Sequence, residues 1–371
     1  MKKVNGHQII ELFEQFSPKG YAMEGDKVGL QIGRLNKPIQ NVMVTLDVLE
    51  NVVDEAIDKN VDLIIAHHPP IFRPLQKLVT DTPQGRMFEK LIKHDIAVYA
   101  AHTNLDVAPG GVNDLLAEAL GLQNIELLAP TYEEKLKKLV VYVPKKQSEQ
   151  VKNALGSAGA GAIGNYSYCS FTSEGTGNFL PGENTNPFIG HSGELESVQE
   201  GRIETIFPAS LEKRVLSAML KAHPYEEVAY DIFPLANKGP ELGLGRVGSI
   251  EEMTLKDFAN HVKQVFGLSG VRVVGDLQSK VKKVAVLGGD GNKYWSQAKF
   301  KGADVYVTGD LYYHVAHDAM LAGLNIIDPG HHVEMVMKQG VTNILTKKCT
   351  EKGYSVHIFP SELSTDPFQF L

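Results

Sequence analysis

Two adjacent histidines, His67 and His68, are the residues of this sequence best suited to metal chemistry. They follow an apolar run over residues 61–66, and two prolines come directly after them. The run predicts a buried parallel strand, because strands covered by helices on both sides are apolar on both faces. Prolines cannot donate to a strand ladder, so the strand ends at the histidines. Neutral imidazole is the commonest metal ligand, and we expect the two rings to splay, each serving one metal of a close pair.

A carboxylate follows the next predicted strand at the same edge of the sheet. Asp106 lies a few residues beyond the strand over 97–101, and open α/β sheets bind their ligands beyond the carboxyl ends of their strands. A carboxylate near two imidazoles suits zinc, iron, manganese or cobalt. The alternative is a turn or helix-capping role for Asp106, ahead of Pro109-Gly110-Gly111. The nearby histidine pair favours the metal site.

A third group of candidate ligands lies near the end of the chain, in Asp328-Pro329-Gly330-His331-His332-Val333-Glu334. This segment follows a predicted strand and opens a helix, on which His331 and Glu334 share one face. Glu334 can supply two oxygens and bridge two metals. The alternative is an ordinary helix start with an acidic residue in its first turn. Three such groups at separate strand ends together predict a metal centre.

Three further residues are candidates for holding the ligands in place or for contacting a substrate. His102 precedes Asp106, Asp310 ends the strand over 303–308, and His314 lies shortly after it. A purely structural role fits each histidine equally well. No nucleophile motif surrounds either cysteine, and the sequence does not identify a catalytic residue.

The elements that must position these residues alternate between strands and helices. The first block predicts strands over 39–48, 61–66 and 97–101, with helices over 49–59, 84–94 and 112–120. A similar alternation is predicted later in the chain, with strands over 281–287, 303–308 and 324–327. Strands alternating with helices of this length predict βαβ units. We expect two α/β halves with mixed or parallel strands, which form one domain and need each other to complete one sheet.

The segment between the two blocks has a different pattern. Its predicted order of elements is β-α-β-β-α-β, which is typical of a ferredoxin-like α+β module. We therefore expect an α/β domain made of residues 1–128 and 241–371, interrupted by an inserted domain over 129–240. The glycine-rich stretch over 239–248 is predicted to be the return linker.

Composition excludes several classes of function. The chain has 371 residues, of which 43% are hydrophobic and 22% charged, as in soluble globular proteins. A formal net charge of −7 disfavours nucleic acid as a partner. No apolar stretch is long enough for a membrane span, and the N-terminal residues lack the pattern of a signal peptide. We expect a cytoplasmic protein without a disulfide framework.

The candidate segments, taken together, resemble the GTP cyclohydrolase 1 type 2 homolog family, a group also named after a yeast interacting factor. The matching segments cover nearly the whole of the two outer blocks, and they occur in the family's order: Asp26-Lys27-Val28-Gly29-Leu30-Gln31-Ile32-Gly33, Ala66-His67-His68-Pro69-Pro70, His102-Thr103-Asn104-Leu105-Asp106, Thr308-Gly309-Asp310 and Gly330-His331-His332-Val333-Glu334.

The resemblance implies two divalent metal ions per subunit, with zinc the first choice and iron, manganese or cobalt as alternatives. Carried over by position, His68 and Asp106 hold one metal, His67 and His331 hold the other, and Glu334 bridges them. In many relatives the glutamate stands four residues after the histidine, whereas here it stands three after His331. The resemblance also implies a toroidal homohexamer and a PII-like or CutA-like inserted domain.

Two functions remain open from the sequence. The first is a metal-dependent hydrolase that acts on a nucleotide, a phosphoester or a cyclic amide through a water bridging the two metals. The second is a metal-binding regulatory ring protein, whose inserted domain senses a small ligand without catalysis. Five protein ligands shared by two metals would leave open coordination positions, which favours the hydrolase.

Overall fold

The computed structural model describes residues 4–371. Within this range no helix combines the length and the apolar character that crossing a membrane requires. The segment Glu133–Glu241 forms one compact unit, the inserted unit, and the described residues before and after it form another, the outer unit. The mixed α/β fold expected from the sequence is confirmed.

The first part of the outer unit alternates strands with helices. Its strands are β1 (Val4–Asn5), β2 (Gly29–Ile32), β3 (Pro38–Ile39), β4 (Asn41–Thr45), β5 (Leu63–Ala66), β6 (Ala97–Ala100) and β7 (Gln123–Glu133). Its helices are α1 (Gly6–Glu14), α2 (Glu50–Asp58), α3 (Pro83–Lys93), α4 (Thr103–Val107) and α5 (Val112–Ala119).

The inserted unit follows the order β-α-β-β-α-β. Its elements are β8 (Leu136–Pro144), α6 (Ser148–Ser157), β9 (Phe171–Phe179), β10 (Glu196–Pro208), α7 (Glu212–Ala222) and β11 (Tyr230–Pro234). The four strands form an antiparallel sheet in the order β11-β8-β10-β9. Both helices pack on one face of this sheet, around Val141, Val151, Ile203 and Val215.

The chain then returns to the outer unit. Its remaining strands are β12 (Glu241–Thr254), β13 (Arg272–Val274), β14 (Lys280–Asp290), β15 (Val305–Gly309), β16 (Asn325–Asp328) and β17 (His357–Pro360). Its remaining helices are α8 (Leu255–Phe266), α9 (Trp295–Phe300), α10 (Tyr313–Leu321) and α11 (Val336–Glu351).

The outer unit contains two sheets that bear the candidate residues, rather than the single shared sheet expected from the sequence. One has the strand order β17-β4-β5-β6-β2, and the other has the order β13-β16-β15-β14-β12-β7. Strands β17, β4, β5 and β6 run parallel, as do β14, β15 and β16. Each block of sequence contributes one strand to the sheet of the other, because β17 joins β4 and β7 joins β12.

Alternating residues of the parallel strands serve two different cores. On β5, Leu63 and Ile65 belong to a core that also receives residues from the second sheet and from α1, α5, α8 and α11. Ile64 and Ala66 face the other way, onto α2 and α3. Since helices cover both faces, every β5 side chain is fully buried, which explains why the segment is continuously apolar.

The chain returns to the outer unit within the glycine-rich stretch over 239–248, as the sequence predicted, but most of this stretch belongs to β12 rather than to a loop. Its glycines permit a close approach between strands. A Cβ on Gly243 would lie 2.0 Å from the Ala129 carbonyl oxygen, and one on Gly248 would lie 2.8 Å from that of Gln123. The glycines thus mark backbone contact with β7, not a flexible connection.

Candidate metal centre

Three histidines and two carboxylates meet where the strands of the two sheets end. The buried Glu334 carboxylate is at the middle: its Oε2 lies 3.1 Å from His68 Nε2, 3.2 Å from His331 Nε2 and 3.5 Å from His67 Nε2. Asp106 Oδ1 lies 3.6 Å from His67 Nε2. The five residues come from three distant segments of the chain, and the fold brings all of them together.

His67 and His68 continue the β5 ladder past the end of the strand. The His67 amide donates to the Thr45 carbonyl (3.1 Å), and the His68 amide donates to the Leu46 carbonyl (2.9 Å). The centroids of the two rings nevertheless lie only 4.9 Å apart, with their planes at 47°. Both rings therefore reach the same centre, although neighbouring residues of a flat strand would point to opposite faces.

An oxygen acceptor holds the Nδ1 atom of each histidine. His67 Nδ1 donates to the Ala101 carbonyl (2.9 Å), His68 Nδ1 to Asp47 Oδ1 (2.7 Å) and His331 Nδ1 to Asp310 Oδ2 (2.7 Å). A backbone carbonyl only accepts hydrogen bonds, so the proton of neutral His67 must be on Nδ1 and the lone pair on Nε2. All three rings thus present Nε2 to the centre, as metal-binding histidines do.

The short 3₁₀ helix His331–Met335 aligns His331 with Glu334. Residues three apart eclipse one another in a 3₁₀ helix, whereas the same alignment in an α-helix falls between three and four residues. A spacing of three therefore places both side chains on one side of this turn. Asp310, which holds His331, has a left-handed backbone with φ of +55°, a conformation rare outside glycine.

Two buried polar atoms of the centre have no hydrogen-bond partner among the described residues. They are His67 Nε2 and Asp106 Oδ1. Leaving a buried polar atom unpaired costs about 1–3 kcal/mol, so such atoms normally have a partner that satisfies them. A cation between them would be such a partner, because both atoms are metal donors. The residues present therefore fit the metal that the resemblance implies.

The separations between donor atoms also fit a metal. Two nitrogen ligands at about 2.0–2.1 Å from one tetrahedral zinc are about 3.3 Å apart. The contacts to Glu334 Oε2 span 3.1–3.5 Å, and the His67–Asp106 contact is 3.6 Å. His67, Asp106 and Glu334 form one group of close donors, and His68, His331 and Glu334 form another. His67, His68 and His102 form a third group at the same centre.

The ionisation of these groups reflects their mutual attraction. Burial lowers the pKa of His68, but the carboxylates of Asp47 and Glu334 outweigh burial and raise it to about 10. Burial also opposes the charged form of His331, yet Glu334 and Asp310 raise its pKa to about 9. Burial raises the pKa of Asp106 to about 6. The carboxylates thus favour positive charge at this centre, which a bound cation would supply in place of protons.

Two glycines at the end of β14 leave room for the ligands. A Cβ on Gly289 would lie 2.8 Å from Glu334 Oε1 and 3.2 Å from His331 Nε2, and one on Gly288 would lie 2.9 Å from Glu334 Oε1. The sequence shows these glycines directly after a strand, but their spacing only excludes a dinucleotide site. Their contact with the candidate ligands appears in the structure alone.

His102 lies next to the two β5 histidines, with ring centroids 5.3 Å from His67 and 5.8 Å from His68. Its Nδ1 donates to Asp26 Oδ1 (2.8 Å), and Asp26 also accepts from the amide and hydroxyl of Thr103. Burial opposes the ionised form of Asp26, but these hydrogen bonds outweigh it and lower the pKa of the carboxyl. The resemblance included Asp26 among its matching segments without giving it a role.

Of the two remaining residues predicted from the sequence, one contacts the centre and the other does not. Asp310 holds His331, whereas His314 is exposed on α10, contacts the ring of Tyr313 and belongs to none of the groups of close donors. The pairing also differs from the one the resemblance implied: His67 lies beside Asp106, and His68 lies beside His331. The Nε2 atoms of both rings lie within 3.5 Å of Glu334 Oε2, and that of His67 also lies 3.6 Å from Asp106 Oδ1.

The sequence-based prediction missed Asp47. It lies two residues past the end of β4, at the same edge of the sheet as the other candidates. Burial opposes its ionised form, but hydrogen bonds from His68 and Thr365 outweigh burial and lower the pKa of the carboxyl. The rule that found Asp106, a carboxylate beyond the end of a parallel strand, applies to Asp47 as well.

Comparison with known proteins places the chain in a family. The profile of the family Duf34/NIF3 (NGG1p interacting factor 3) matches residues 4–367. A Bacillus subtilis protein named GTP cyclohydrolase 1 type 2 homolog is 68% identical over 371 residues, covering all of both chains, and a Halalkalibacterium halodurans protein of the same name is 59% identical over 372 residues, also covering all of both.

Solved structures give the same result. The crystal structure of a Bacillus cereus protein related to NIF3 has a TM-score of 0.94 at 64% identity, and that of a Staphylococcus aureus protein has a TM-score of 0.77 at 34% identity. Both alignments cover all of this chain and all of the other. The family resemblance inferred from the sequence motifs is confirmed, and the chain belongs to the Duf34/NIF3 family.

Proposed function

We propose that this protein binds two divalent cations and is a metal-dependent hydrolase. The observation that carries the proposal is the position of Glu334, whose one carboxylate is within 3.5 Å of three histidine Nε2 atoms. Such a shared carboxylate suits a bridging ligand. In this arrangement His67 and Asp106 would hold one cation, His68 and His331 the other, and Glu334 both. Zinc fits nitrogen and oxygen donors at these separations, and iron, manganese and cobalt are alternatives.

A pair of divalent cations would supply Lewis-acid chemistry and would lower the pKa of a water molecule toward neutrality. The chain itself determines from where a substrate can approach. His67 and Glu334 have side chains that are 0% and 3% exposed, whereas those of His68 and His331 are 23% and 37% exposed. Substrate therefore enters on the side of His68 and His331. Five protein donors for two cations leave positions open there, whereas a structural zinc site is closed by four protein ligands.

Two residues on the accessible side would orient a substrate. The His102 side chain is 24% exposed and is held by Asp26, and the Asp310 side chain is 41% exposed and holds His331. An imidazole and a carboxylate at the rim offer both donors and acceptors of hydrogen bonds. A nucleotide, a phosphoester or a cyclic amide fits this chemistry, and the name GTP cyclohydrolase 1 type 2 homolog, carried by the similar proteins, is in keeping with a nucleotide substrate.

Metal analysis of the purified protein and of ligand variants tests the proposal. We expect two metal ions per chain in the wild type, and loss of at least one in His67→Ala and in Asp106→Ala. His94→Ala, a change of the exposed residue that caps α3, serves as the matched control and should retain both ions. Retention of two ions in the His67 and Asp106 variants would refute the metal assignment.

Turnover tests the second half of the proposal. The metal-loaded protein would be screened against nucleotides, phosphoesters and cyclic amides, with His67→Ala and His94→Ala measured in parallel. We expect a hydrolysis product that requires His67 and does not require His94. If the metal-loaded protein hydrolyses none of these classes of compound, the assignment as a hydrolase is wrong, and a regulatory metal-binding protein is the better description.

We propose further that the chain assembles as a toroidal homohexamer in the cytoplasm and that its inserted unit is PII-like. The β-α-β-β-α-β order of that unit, with both helices on one face of the antiparallel sheet, supports the second statement. Sedimentation or light scattering tests the first. A hexamer has six times the 40.7 kDa mass of the chain, and a monomer or dimer in solution would contradict it.

A further inference from the structure

The inserted unit contains a cavity that the proposed metal chemistry does not use. Its volume is about 670 Å³, within the range of about 300–1,000 Å³ typical of sites for small molecules. The cavity lies on the sheet face opposite to α6 and α7. Tyr142, Glu200 and Arg202 line it, whereas the neighbouring Val141 and Ile203 pack against the helices.

A carboxylate on the floor of the cavity is almost fully buried. Glu200 is only 8% exposed, and its Oε1 accepts a hydrogen bond from the Tyr225 hydroxyl (2.9 Å). Its Oε2 lies above Gly177 of the neighbouring strand, where a Cβ would come within 2.1 Å. Only glycine leaves space for the carboxylate at this position. The floor is therefore shaped around one negative charge.

Aromatic rings form the wall above this carboxylate. The ring of Tyr225 lies 5.8 Å from that of Phe179 and 6.4 Å from that of Phe188, centroid to centroid. Phe188 is 53% exposed at the rim, on a loop whose Asn186 amide donates to Glu226 Oε1 (2.9 Å). That hydrogen bond joins the loop to the segment that carries Tyr225, so the wall has a defined position.

The charge of the lining is strongly unbalanced. Glu174, Glu200, Glu226 and Glu227 contribute four carboxylates, of which Glu174 is paired with Lys145 outside the lining, and Arg202 is the one cationic side chain among the lining residues that the structure describes. The Arg202 guanidinium is already paired with Glu204. A phosphate-bearing ligand would meet repulsion from the floor and would find no free cation to bind.

We propose that this cavity binds a small organic cation, an ammonium group joined to an apolar or aromatic portion. The buried Glu200 carboxylate pairs with the ammonium, and the faces of the aromatic rings attract the same charge. The remaining volume accepts the apolar portion against Phe179 and Phe188. A buried charge needs a partner of opposite sign, and a cation supplies it where the Tyr225 hydroxyl alone offers only a neutral donor.

Calorimetric titration of the full chain with two probes of matched shape tests this proposal. Phenethylammonium and 3-phenylpropionate share a phenyl ring and a short linker but carry opposite charges. We expect the ammonium to bind and the carboxylate to bind at least about tenfold more weakly, since a hydrogen bond between charged groups contributes about 1.5–3 kcal/mol. Equal affinity for the two probes, or no binding of the ammonium, would overturn the proposal.

Variants of the full chain locate the site. Glu200→Gln keeps an acceptor for the Tyr225 hydroxyl but removes the charge, and Phe188→Ala removes an exposed part of the wall, so a folding defect in one leaves the other informative. Each substitution should weaken the binding of phenethylammonium at least about fivefold. The controls are Glu149→Gln, whose side chain is 79% exposed, and Tyr166→Ala, which is 77% exposed; neither residue lines the cavity.

The metal centre provides an independent control. His67→Ala should bind phenethylammonium as the wild type does, because His67 belongs to the outer unit and the cavity to the inserted unit. Wild-type affinity in both Glu200→Gln and Phe188→Ala would contradict the assignment of the site, whatever the metal content of the protein.

Discussion

At the scale of single residues, three different oxygens perform one task around Glu334. The Ala101 carbonyl, Asp47 and Asp310 each hold a histidine Nδ1 atom, and each therefore decides where an Nε2 lone pair points. Partners of this kind raise the basicity of the ring and fix its orientation, and their loss commonly weakens metal binding 10–100-fold. The centre thus depends on residues that would never contact a metal themselves.

Gly289 offers a sharp test of the space that the ligands need. In Gly289→Ala the new methyl group would lie 2.8 Å from Glu334 Oε1, and the backbone φ of +64° adds strain of about 1–2 kcal/mol. We expect at least one of the two metal ions to be lost, as measured by elemental analysis.

Gly302→Ala is the matched control, because Gly302 has a φ of +76° and no atom within 4 Å of its added methyl. It should lose similar stability and keep its metal. Full metal content in Gly289→Ala would show that Glu334 does not require this space.

His223 should make the inserted unit sensitive to acid. Burial lowers the pKa of His223, outweighing the hydrogen bond to the Tyr142 carbonyl and the charge of Glu200, and its Nδ1 accepts from the Tyr225 amide. In the unfolded chain the imidazole has its ordinary pKa of about 6.5. Below that pH the unfolded state binds a proton that the folded state resists, so stability falls as the pH drops and levels off below the folded pKa.

Hydrogen exchange at pH 7 and pH 5.5 measures this effect. The free energy of opening for Leu136–Pro144, after correction for intrinsic exchange rates, should fall less in His223→Gln than in the wild type. His191→Gln changes an exposed histidine of the same unit and should behave as the wild type does. An equal fall in all three proteins would exclude His223 as the cause.

Much of the candidate centre could be predicted from the sequence because one local rule finds it. His67, Asp106 and His331 each follow a recognisable parallel strand, and the carboxyl ends of such strands share an edge. The assignment of histidines to carboxylates could not be predicted, since it depends on which oxygen each Nδ1 reaches. Asp47 and Ala101 supply two of those oxygens. The predicted strand over 39–48 included Asp47, so its position beyond a strand end became evident only when β4 was found to end at Thr45.

At the scale of elements, the positions of the strands were easier to predict than the pairings between them. The apolar segments that form β5, β6 and β15 are evident in the sequence, because strands buried on both faces lack polar positions. The separation into two sheets is not evident. It arises from pairings such as β17 with β4, which join residues more than 300 positions apart and leave no periodic signal.

The glycines of β12 were expected to form a loop, and the reason why they lie in a strand can be tested by mutation. Glycines usually indicate turns, but Gly243 is required because the Ala129 carbonyl oxygen would lie 2.0 Å from a Cβ. That oxygen belongs to backbone and cannot move aside easily. We expect Gly243→Ala to lower the free energy of unfolding by about 1–3 kcal/mol, the usual cost of overpacking.

Urea unfolding followed by the fluorescence of Trp295, the single tryptophan, reports on the outer unit. Gly20→Ala is the control, since a Cβ there meets no atom within 4 Å and the backbone is not left-handed. A stability loss no larger than that of the control would mean that β7 and β12 can move apart to make room for the added methyl group at little cost.

At the scale of the whole molecule, the metal centre should couple distant parts of one unit while leaving the other unaffected. The candidate ligands come from the two outer blocks of sequence, so bound cations would stabilise the outer unit by linkage, by about 2.7 kcal/mol for each site at a free metal concentration of 100 times Kd.

Chelation should therefore lower the unfolding midpoint reported by Trp295 and leave the hydrogen-exchange protection of Leu136–Pro144, in the inserted unit, unchanged. Addition of the same metal after removal of the chelator should restore the midpoint. A midpoint that is indifferent to chelation would place the metal outside this centre, and a loss of protection in the inserted unit would locate a cation there instead.

The exchange of strands between the two outer blocks has a consequence for the order in which a newly made chain can fold. The inserted unit is continuous in sequence and has all of its strands once residue 241 has left the ribosome. The first sheet must wait for β17, which follows every other described strand in the chain, and its unpaired β4 edge can pair with a wrong strand until then. The inserted unit can therefore fold before the first sheet is complete, and the candidate ligands can come together only after His331 and Glu334 have been made.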